Sequence, residues 1–323
     1  MKFAPRPMDE DAGAVGLVDA PRASTMMATV QRRYGQPDVL EYTAVPKPVV
    51  GDDDVLSKEG EKALLRAVRK ACEQAGKQGC DEVLTLVTSA IREARNGMEV
   101  LERVRERTGV QMQVTSGEEE ARLTFLAVRR WFGWSAGRLL VLDIGGGSLE
   151  LASGLDEDPD VALSLPLGAG RMTRRFLPEA RTGGRPDLEA LTELDEHAAD
   201  LLEPAAKKLL GGGPPDLVAA TSKTFRTLAR LTGAAPYSAG LRAPRQLTLD
   251  GLGQLLGFVA RIESSALAEL QGVSPDRAHQ IPGGAVVARA AMRALDVPSV
   301  RICPWALREG VILRRLDSLE DDR

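Results

Sequence analysis

Three consecutive glycines between two apolar runs constrain this chain more than any other feature. Residues 139–142 (LLVL) and 149–152 (LELA) each have the length and composition of a buried strand. Glycine has no side chain, so a run of three adopts conformations that other residues avoid and leaves its amides open to an anion. The pattern predicts a β-hairpin whose tip binds phosphate oxygens through Gly145, Gly146, Gly147 and Ser148.

Two carboxylates flank this turn. Asp143 immediately precedes the glycines and Glu150 follows them. A carboxylate beside amides that cradle an anion is where Mg²⁺ would lie between protein and phosphate. A dinucleotide fingerprint does not fit, because Glu150 breaks its glycine spacing and a strand follows, and the Gly-Lys-Ser/Thr of a P-loop is absent. The alternative is a glycine-rich hairpin without a ligand, although a purely structural turn has no need of flanking carboxylates.

Length and composition set the outer limits. A chain of 323 residues with 43% hydrophobic content predicts two globular domains. We expect a cytoplasmic protein without a membrane segment, because no apolar run approaches about 18 residues and no signal peptide opens the chain. Cys72, Cys80 and Cys303 are predicted to be free and mostly buried. His197 and His279 are isolated in the sequence and are not expected to bind metal.

The net charge of −4 conceals a basic segment, because residues 217–249 contain five basic side chains and no acidic one. A short strand from Leu217 is predicted to run into a helix that begins at Thr221 or Ser222, with Lys223 and Arg226 on one face together with Arg230. A helix N-terminus beside such a face favours an anionic substrate, and the alternative is a solvated surface. Nucleic acid is not expected, since aromatic residues make up only 4% of an acidic chain.

Hydrophobic spacing predicts alternating helices and strands, as in α/β proteins. Helices are expected over residues 61–76 and 98–107, and strands over residues 83–87 and 110–114. Arg92 follows the first of these strands, where a guanidinium could fork onto phosphate oxygens. A surface arginine paired with Glu93 or Glu99 explains the same spacing equally well.

An acidic triplet opens the next predicted helix. Carboxylates in a first turn are stabilised by the helix dipole, which accounts for Glu118 and Glu119. Glu120 needs another explanation, because Leu123 and Ala127 follow it at three and seven residues and would place it on the inward face. An inward carboxylate could accept a proton from an attacking water.

Four motifs together resemble one known family. They are residues 88–94 (TSAIREA), 116–122 (SGEEEAR), 143–150 (DIGGGSLE) and 307–310 (LREG). Their order and spacing resemble the exopolyphosphatase / guanosine pentaphosphate phosphohydrolase family over roughly residues 57–318. Residues 164–171 (SLPLGAGR) and 220–225 (ATSKTF) resemble its short, two-domain actinobacterial members.

The resemblance implies an α/β, actin-like (ribonuclease-H-like) two-domain fold with an active site in the cleft between the domains. We expect domains at residues 1–125 and 126–323, with the last helix packing back on the first domain. By motif, Glu120 corresponds to a catalytic base, Asp143 to a metal ligand, Glu150 to a carboxylate that positions water or metal, and Arg92 to a phosphate-binding arginine. The family also implies Mg²⁺ or Mn²⁺, K⁺ as a further cation, and a homodimer.

The first 56 residues depart from this pattern. The family begins with a phosphate loop of the form Asp-x-Gly-Ser-Asn, which is absent there; Asp19 is the nearest substitute, but Pro21 removes an amide from the turn. Residues 27–56 instead resemble the opening of a medium-chain dehydrogenase / quinone reductase, without a cofactor or zinc site. The likeness suggests a rearranged N-terminus, and chance similarity between two β-hairpins is the alternative. Such a hairpin could occupy the sheet positions of the missing strands.

Three interpretations of function follow from the sequence. The first is a phosphohydrolase that removes the terminal phosphate of polyphosphate or guanosine pentaphosphate, with Glu120 activating water. The second is a catalytically impaired protein that binds these polyanions. The third is a sugar-kinase-like phosphotransferase, against which a water-activating Glu120 argues.

Overall fold

The computed structural model describes residues 25–31, 40–46, 55–80 and 82–321, the first two ranges as backbone only. The strands are β1 (Thr25–Gln31), β2 (Leu40–Pro46), β3 (Leu86–Val87), β4 (Gln113–Val114), β5 (Leu139–Ile144), β6 (Leu149–Gly154), β7 (Val161–Leu165), β8 (Leu217–Thr221), β9 (Gln246–Thr248) and β10 (Ser299–Ile302). The helices are α1 (Lys58–Gln78), α2 (Ser89–Arg92), α3 (Gly97–Thr108), α4 (Gly117–Phe132), α5 (Ala169–Phe176), α6 (Pro178–Arg181), α7 (Leu188–Leu209), α8 (Ser222–Leu231), α9 (Leu249–Val259), α10 (Ile281–Ala294) and α11 (Leu307–Asp321).

A six-stranded mixed sheet forms the centre of the molecule, in the order β7-β6-β5-β8-β10-β9. Strands β5, β6 and β7 form an antiparallel meander, whereas β5, β8 and β10 run parallel. The predicted glycine hairpin is confirmed, because β5 pairs with β6 from Leu139 opposite Gly154 to Ile144 opposite Leu149. The glycines therefore lie at the tip of two central strands.

The two faces of this sheet are covered by different helices. On one face, side chains such as Leu140 and Leu142 enter a large core with α5 and α7 to α10. On the other face, Leu139 and Val141 pack against Phe125 of α4. Successive side chains of a strand point to opposite faces, so both halves of the pattern LLVL are buried, as the continuous apolar run predicts.

Helix α11 packs on the outer side of α4. A side chain at Gly310 would overlap the carbonyl of Leu123, so the two helices cross at a position that only glycine allows. Glu309, next to it, accepts a hydrogen bond from the Ala306 amide at 2.8 Å. The LREG motif at residues 307–310 thus serves helix packing in this fold.

The N-terminal region has much less sheet than the sequence predicts. Within the ranges predicted as strands, 83–87 and 110–114, the structure has Leu86–Val87 and Gln113–Val114 as parallel strands β3 and β4. Val83 and Leu84 are 44% and 41% exposed, so their apolar side chains do not enter a core. The helices are confirmed: α1 and α3 flank a small core, and α3 is terminated by Gly109 in the left-handed conformation that its position predicts.

The N-terminal hairpin is formed as well. Strands β1 and β2 pair antiparallel from Thr25 opposite Pro46 to Gln31 opposite Leu40, and among the described strands they make a sheet of their own. The hairpin therefore does not extend the β3-β4 sheet, and its likeness to reductases stays a prediction. Asp19 lies outside the described residues. In the described part of the chain, every helix is too short or too polar to cross a membrane.

Candidate active site

The predicted site residues on the sheet form a single row across four strands. Asp143 of β5 lies directly opposite Glu150 of β6, Glu150 lies opposite Ser164 of β7, and Asp143 lies beside Thr221 of β8. Paired residues share a face of the sheet, and opposed Cβ atoms in an antiparallel pair are about 4.5 to 5.5 Å apart. The two carboxylates are therefore neighbours next to the glycine turn.

Helix α4 places Glu120 above this row. Its N-terminus is fixed by Ser116, whose hydroxyl accepts a hydrogen bond from the Glu119 amide at 3.1 Å. Ala121, Phe125 and Val128 pack on the same sheet face as the row, one level further along the strands. Glu120 is only 5% exposed, which confirms its predicted inward position. Helix α4 and the β5-β6 hairpin, which follow each other in the chain, thus bring three carboxyl groups together.

These carboxyl groups are less acidic than usual. Burial raises the pKa of Glu120 to about 7, and the charge of Glu150 adds to the increase, while Arg92 lowers it. Burial and Asp143 together raise the pKa of Glu150 to about 7. Burial raises the pKa of Asp143 to about 6, opposed by Arg226. Clustered perturbed carboxyl groups in a cleft are typical of catalytic or cation-binding sites.

Glu150 has two polar neighbours, of which Ser148 was predicted as part of the glycine turn and Ser164 was not predicted as a site residue. Ser164 donates a hydrogen bond from its hydroxyl to Glu150 Oε1 at 3.0 Å, and Ser148 also favours the ionised form of Glu150. Gly117, the first residue of α4, has no room for a side chain because Ser164 fills the space. Ser164 opens the family-like segment 164–171, but its contact with Glu150 could not be predicted locally, because it depends on the register of β6 with β7.

The glycine turn is held from behind by the N-terminus of α5. Three backbone amides donate to its carbonyl groups: Gly168 to Gly147 at 3.2 Å, Ala169 to Gly145 at 3.0 Å and Arg171 to Gly146 at 2.9 Å. The Gly145 amide donates to Ser148 O at 2.9 Å, which closes the turn. Among the described residues, the Gly146 and Gly147 amides have no protein acceptor, so they remain available to phosphate oxygens.

Arg92 lies in the cleft and is 19% exposed. It donates to the Thr115 carbonyl at 2.6 Å and forms an ion pair with Glu120. It also contacts Glu93 at 3.5 Å, which agrees in part with the surface-pair alternative, whereas Glu99 pairs with Arg103. Arg92 is therefore positioned to hold Glu120 and to meet an anion beside it.

The basic helix face lies on the other side of Asp143. Helix α8 begins after β8, as predicted, and Ser222 adopts a positive φ of 93° and accepts from the Phe225 amide at 3.2 Å. Arg226 lowers the pKa of Asp143 by its charge, and its guanidinium donates to the Pro304 carbonyl at 3.4 Å. Lys223 lines a pocket with Arg277, a residue that the sequence did not single out, and burial lowers the pKa of both.

Asp143 and Glu150 are the two side chains of the row that could serve as ligands of a metal ion. Within the described ranges, no cluster of three or more His, Cys, Asp or Glu side chains could hold an ion alone. The charge of Asp143 raises the pKa of Glu150, and a hard cation between the two ionised carboxylates would relieve this repulsion. Mg²⁺ commonly binds one or two carboxylates and completes its coordination with water and substrate phosphate, and this pair fits that pattern.

Cys303 is buried and free, as predicted, whereas Cys80 is exposed.

A glycine turn, an opposed carboxylate pair and a buried glutamate lie together in a protein of the actin-like α/β class. Solved structures confirm the fold. An exopolyphosphatase from Cytophaga hutchinsonii superposes with a TM-score of 0.75 at 19% identity, covering 91% of this chain and 94% of that one. A Ppx/GppA family member from Aquifex aeolicus gives a TM-score of 0.70 at 22% identity, covering 88% and 91%.

Sequence comparison identifies the family within that class. Residues 47–319 match the model of the Ppx/GppA phosphatase family, and the chain belongs to this family. It is 56% identical over 311 residues to exopolyphosphatase 1 of Mycobacterium tuberculosis, covering 95% of this chain and 89% of that protein. It is 50% identical to exopolyphosphatase 1 of Mycobacterium leprae, covering 95% and 91%.

Proposed function

We propose that the protein is a phosphohydrolase that releases the terminal phosphate of linear inorganic polyphosphate. The observation that carries this proposal is the meeting of Glu120 with the row of Asp143 and Glu150 beside the glycine turn. Membership of the Ppx/GppA family and two relatives named exopolyphosphatase support the same substrate. The family name covers guanosine pentaphosphate as well, and that nucleotide is the second candidate substrate.

Glu120 is proposed as the general base. A base works best when its pKa is close to the operating pH, and burial raises the pKa of Glu120 to about 7. Arg92 bonds to this carboxylate and to the Thr115 carbonyl, so it fixes the direction in which the carboxylate points. Glu120 would take a proton from a water molecule while the oxygen of that water attacks the terminal phosphorus. The shortened polyphosphate would leave from the opposite side of the phosphorus.

The glycine turn and the sheet carboxylates would bind the phosphoryl group under attack. The Gly146 and Gly147 amides would donate to its oxygens, where negative charge develops in the transition state. Asp143 and Glu150 would hold Mg²⁺ or Mn²⁺, which supplies charge neutralisation to that group when bound. Ser164 would keep Glu150 ionised through the bond from its hydroxyl.

The remaining phosphates of the polyphosphate substrate would lie along the basic side of the cleft. Lys223 and Arg226 of α8 and Arg277 beside them present three cations on the far side of Asp143. Each further phosphate of a linear polyphosphate carries about one negative charge, so a row of cations favours a chain over a single phosphate. Both candidate substrates offer such a chain to this surface.

Phosphate release from three substrates tests the proposal against its alternatives. The full chain is incubated with linear polyphosphate, with guanosine pentaphosphate, and with ATP plus a sugar, each with Mg²⁺ and with chelator. We expect metal-dependent release from polyphosphate at the highest kcat/KM. Binding of polyphosphate without release would favour the impaired binding protein instead. Phosphorylation of the sugar would favour a phosphotransferase.

A further inference from the structure

A carboxylate lies between two arginines at the mouth of the glycine turn. Glu93 follows α2 and contacts Arg92 Nη2 through Oε1 at 3.5 Å. Its second oxygen, Oε2, forms an ion pair with Arg171 Nη2. The side chains of Glu93 and Arg171 are 34% and 33% exposed, so this arrangement faces the open cleft and not the core.

Both arginines belong to the phosphate-binding region. Arg171 donates its backbone amide to the Gly146 carbonyl at 2.9 Å, so its backbone is tied to the turn itself. Arg92 is paired with Glu120, the proposed base. The Glu93 Oε2 atom is 3.8 Å from the point where a Cβ of Gly147 would lie. Glu93 therefore places an anionic group where an anionic substrate would approach.

Carboxylate and phosphate are equivalent ligands for a guanidinium. Both offer oxygens that match the donor fork of arginine, and bonds between two charged partners are the stronger ones. Arg92, Arg171 and Glu93 together carry a net charge of one positive unit, which Glu120 offsets when it is ionised. A phosphate group with its greater charge and more oxygens can replace the carboxylate there, whereas a weaker anion gains little by doing so.

We propose that Arg171 is a further substrate-binding arginine, and that Glu93 is an internal anion that occupies the Arg92–Arg171 pair until a phosphate of the substrate displaces it. The inference rests on the proposed function in so far as the substrate is a chain of phosphates. Glu93 then acts on specificity: it raises the concentration at which any anion binds, and most of all for the single orthophosphate product. A polyphosphate chain is bound at several other points as well, so it displaces Glu93 from the two arginines.

Three variants test the inference: Glu93→Gln, Arg171→Gln and the double variant. Loss of the competing charge in Glu93→Gln should lower KM for polyphosphate about fivefold, a larger change than in kcat, and strengthen inhibition by orthophosphate. Arg171→Gln should raise KM about tenfold. In the double variant, the decrease in KM caused by Glu93→Gln should disappear, because the Arg171 guanidinium that Glu93 occupies is absent. The matched control is Glu61→Gln, which removes a partner of Arg103 between α1 and α3, and should leave KM unchanged.

Calorimetric binding of tripolyphosphate separates this inference from the proposed function, since it needs no turnover. Affinity about fivefold higher in Glu93→Gln than in the unmodified protein supports the inference, whether or not phosphate is released. Equal or weaker binding by Glu93→Gln, with a thermal midpoint like that of the unmodified protein, shows that Glu93 positions the arginines and overturns it. Absence of binding to either protein overturns it as well. Absence of phosphate release alone rejects only the hydrolase proposal.

Discussion

The two sides of the cleft are built differently. On the sheet side, Asp143 and Glu150 are fixed by continuous strand pairing, above a core to which 41 buried hydrophobic residues contribute in the described part of the chain. On the N-terminal side, Arg92 and Glu93 follow a two-residue strand and rest on a core of ten such residues among those described. Helix α4, which carries Glu120, packs on the opposite face of the central sheet through Ala121, Phe125 and Val128.

This difference suggests that the two sides of the cleft have different roles. The groups proposed to bind the cation and the reacting phosphate need fixed geometry, and hydrogen-bonded strands provide it. Glu93 on the N-terminal side is joined to Arg171 on the sheet side by an ion pair of partly exposed side chains, and such pairs exchange partners at low cost. We infer that the sheet side sets the chemical step and the N-terminal side sets substrate admission.

The largest effect is expected from a glycine that joins α5 to the turn. A Cβ at Gly168 would overlap the backbone of Gly147 and Ser148, so Gly168→Ala must displace the turn. We expect kcat/KM for polyphosphate to fall about 100-fold, in line with the cost of a small misplacement in a catalytic site. Gly253→Ala is the control, because nothing lies within 4 Å of its Cβ position. Equal activity of the two variants would show that the turn is not rigid.

A second prediction concerns metal affinity on the sheet side. Ser164→Ala removes the hydroxyl that donates to Glu150 at 3.0 Å, so the ionised carboxylate is less favoured. Loss of such a supporting bond typically costs 10- to 100-fold in metal affinity. We expect the Mg²⁺ concentration for half-maximal activity to rise about tenfold, with full activity restored at high Mg²⁺. Ser153→Ala, on the same strand pair but away from the row, is the control. An unchanged Mg²⁺ requirement would remove Glu150 from the metal site.

The pH dependence of catalysis tests the link between the two sides. Glu120 must be ionised to accept a proton, and burial raises its pKa to about 7. We expect kcat/KM to fall about tenfold between pH 8 and pH 6, as this carboxylate becomes protonated. Because Arg92 lowers the pKa of Glu120, Arg92→Gln should move the midpoint to higher pH. A rate that is constant from pH 8 to pH 5 contradicts the role of Glu120.

The smallest predicted effect is on stability. The pKa of Glu150 is raised from 4.5 to about 7 by folding, so the folded chain binds more protons there and loses stability as pH rises through this interval. In metal-free protein at pH 8, the ionised group costs about 1 to 3 kcal/mol. Glu150→Gln should therefore raise Tm at pH 8 by about 4 °C. The difference should vanish at pH 4, where Glu150 is protonated; a Tm increase that persists there would point to packing instead.

The sheet half of the site was open to prediction from sequence because its signals are local. A hairpin of fixed length places Asp143 opposite Glu150 once the three glycines form its tip. Helical spacing likewise gives the inward position of Glu120. These residues come together in the structure, and the roles assigned to them stay predictions.

The other half depends on contacts between distant segments, which no local pattern encodes. The pairing of Glu93 with Arg171 joins residues 78 positions apart, and Ser164 reaches Glu150 only through strand register. The strand expected over residues 83–87 is formed only at Leu86–Val87, because Val83 and Leu84 are exposed and have no core to pack against. The boundaries of the two domains, at residues 125 and 126, also stay a prediction.

One comparison tests the central claim, that a base from α4 acts on a phosphate held by the sheet. Phosphate release from linear polyphosphate is measured with Mg²⁺ for Glu120→Gln and for Glu119→Gln, whose exposed side chain is one residue away. Polyphosphate binding is measured on the same samples. We predict that Glu120→Gln loses at least 100-fold in kcat and still binds polyphosphate, whereas Glu119→Gln retains activity. Turnover by Glu120→Gln close to that of Glu119→Gln would contradict the account.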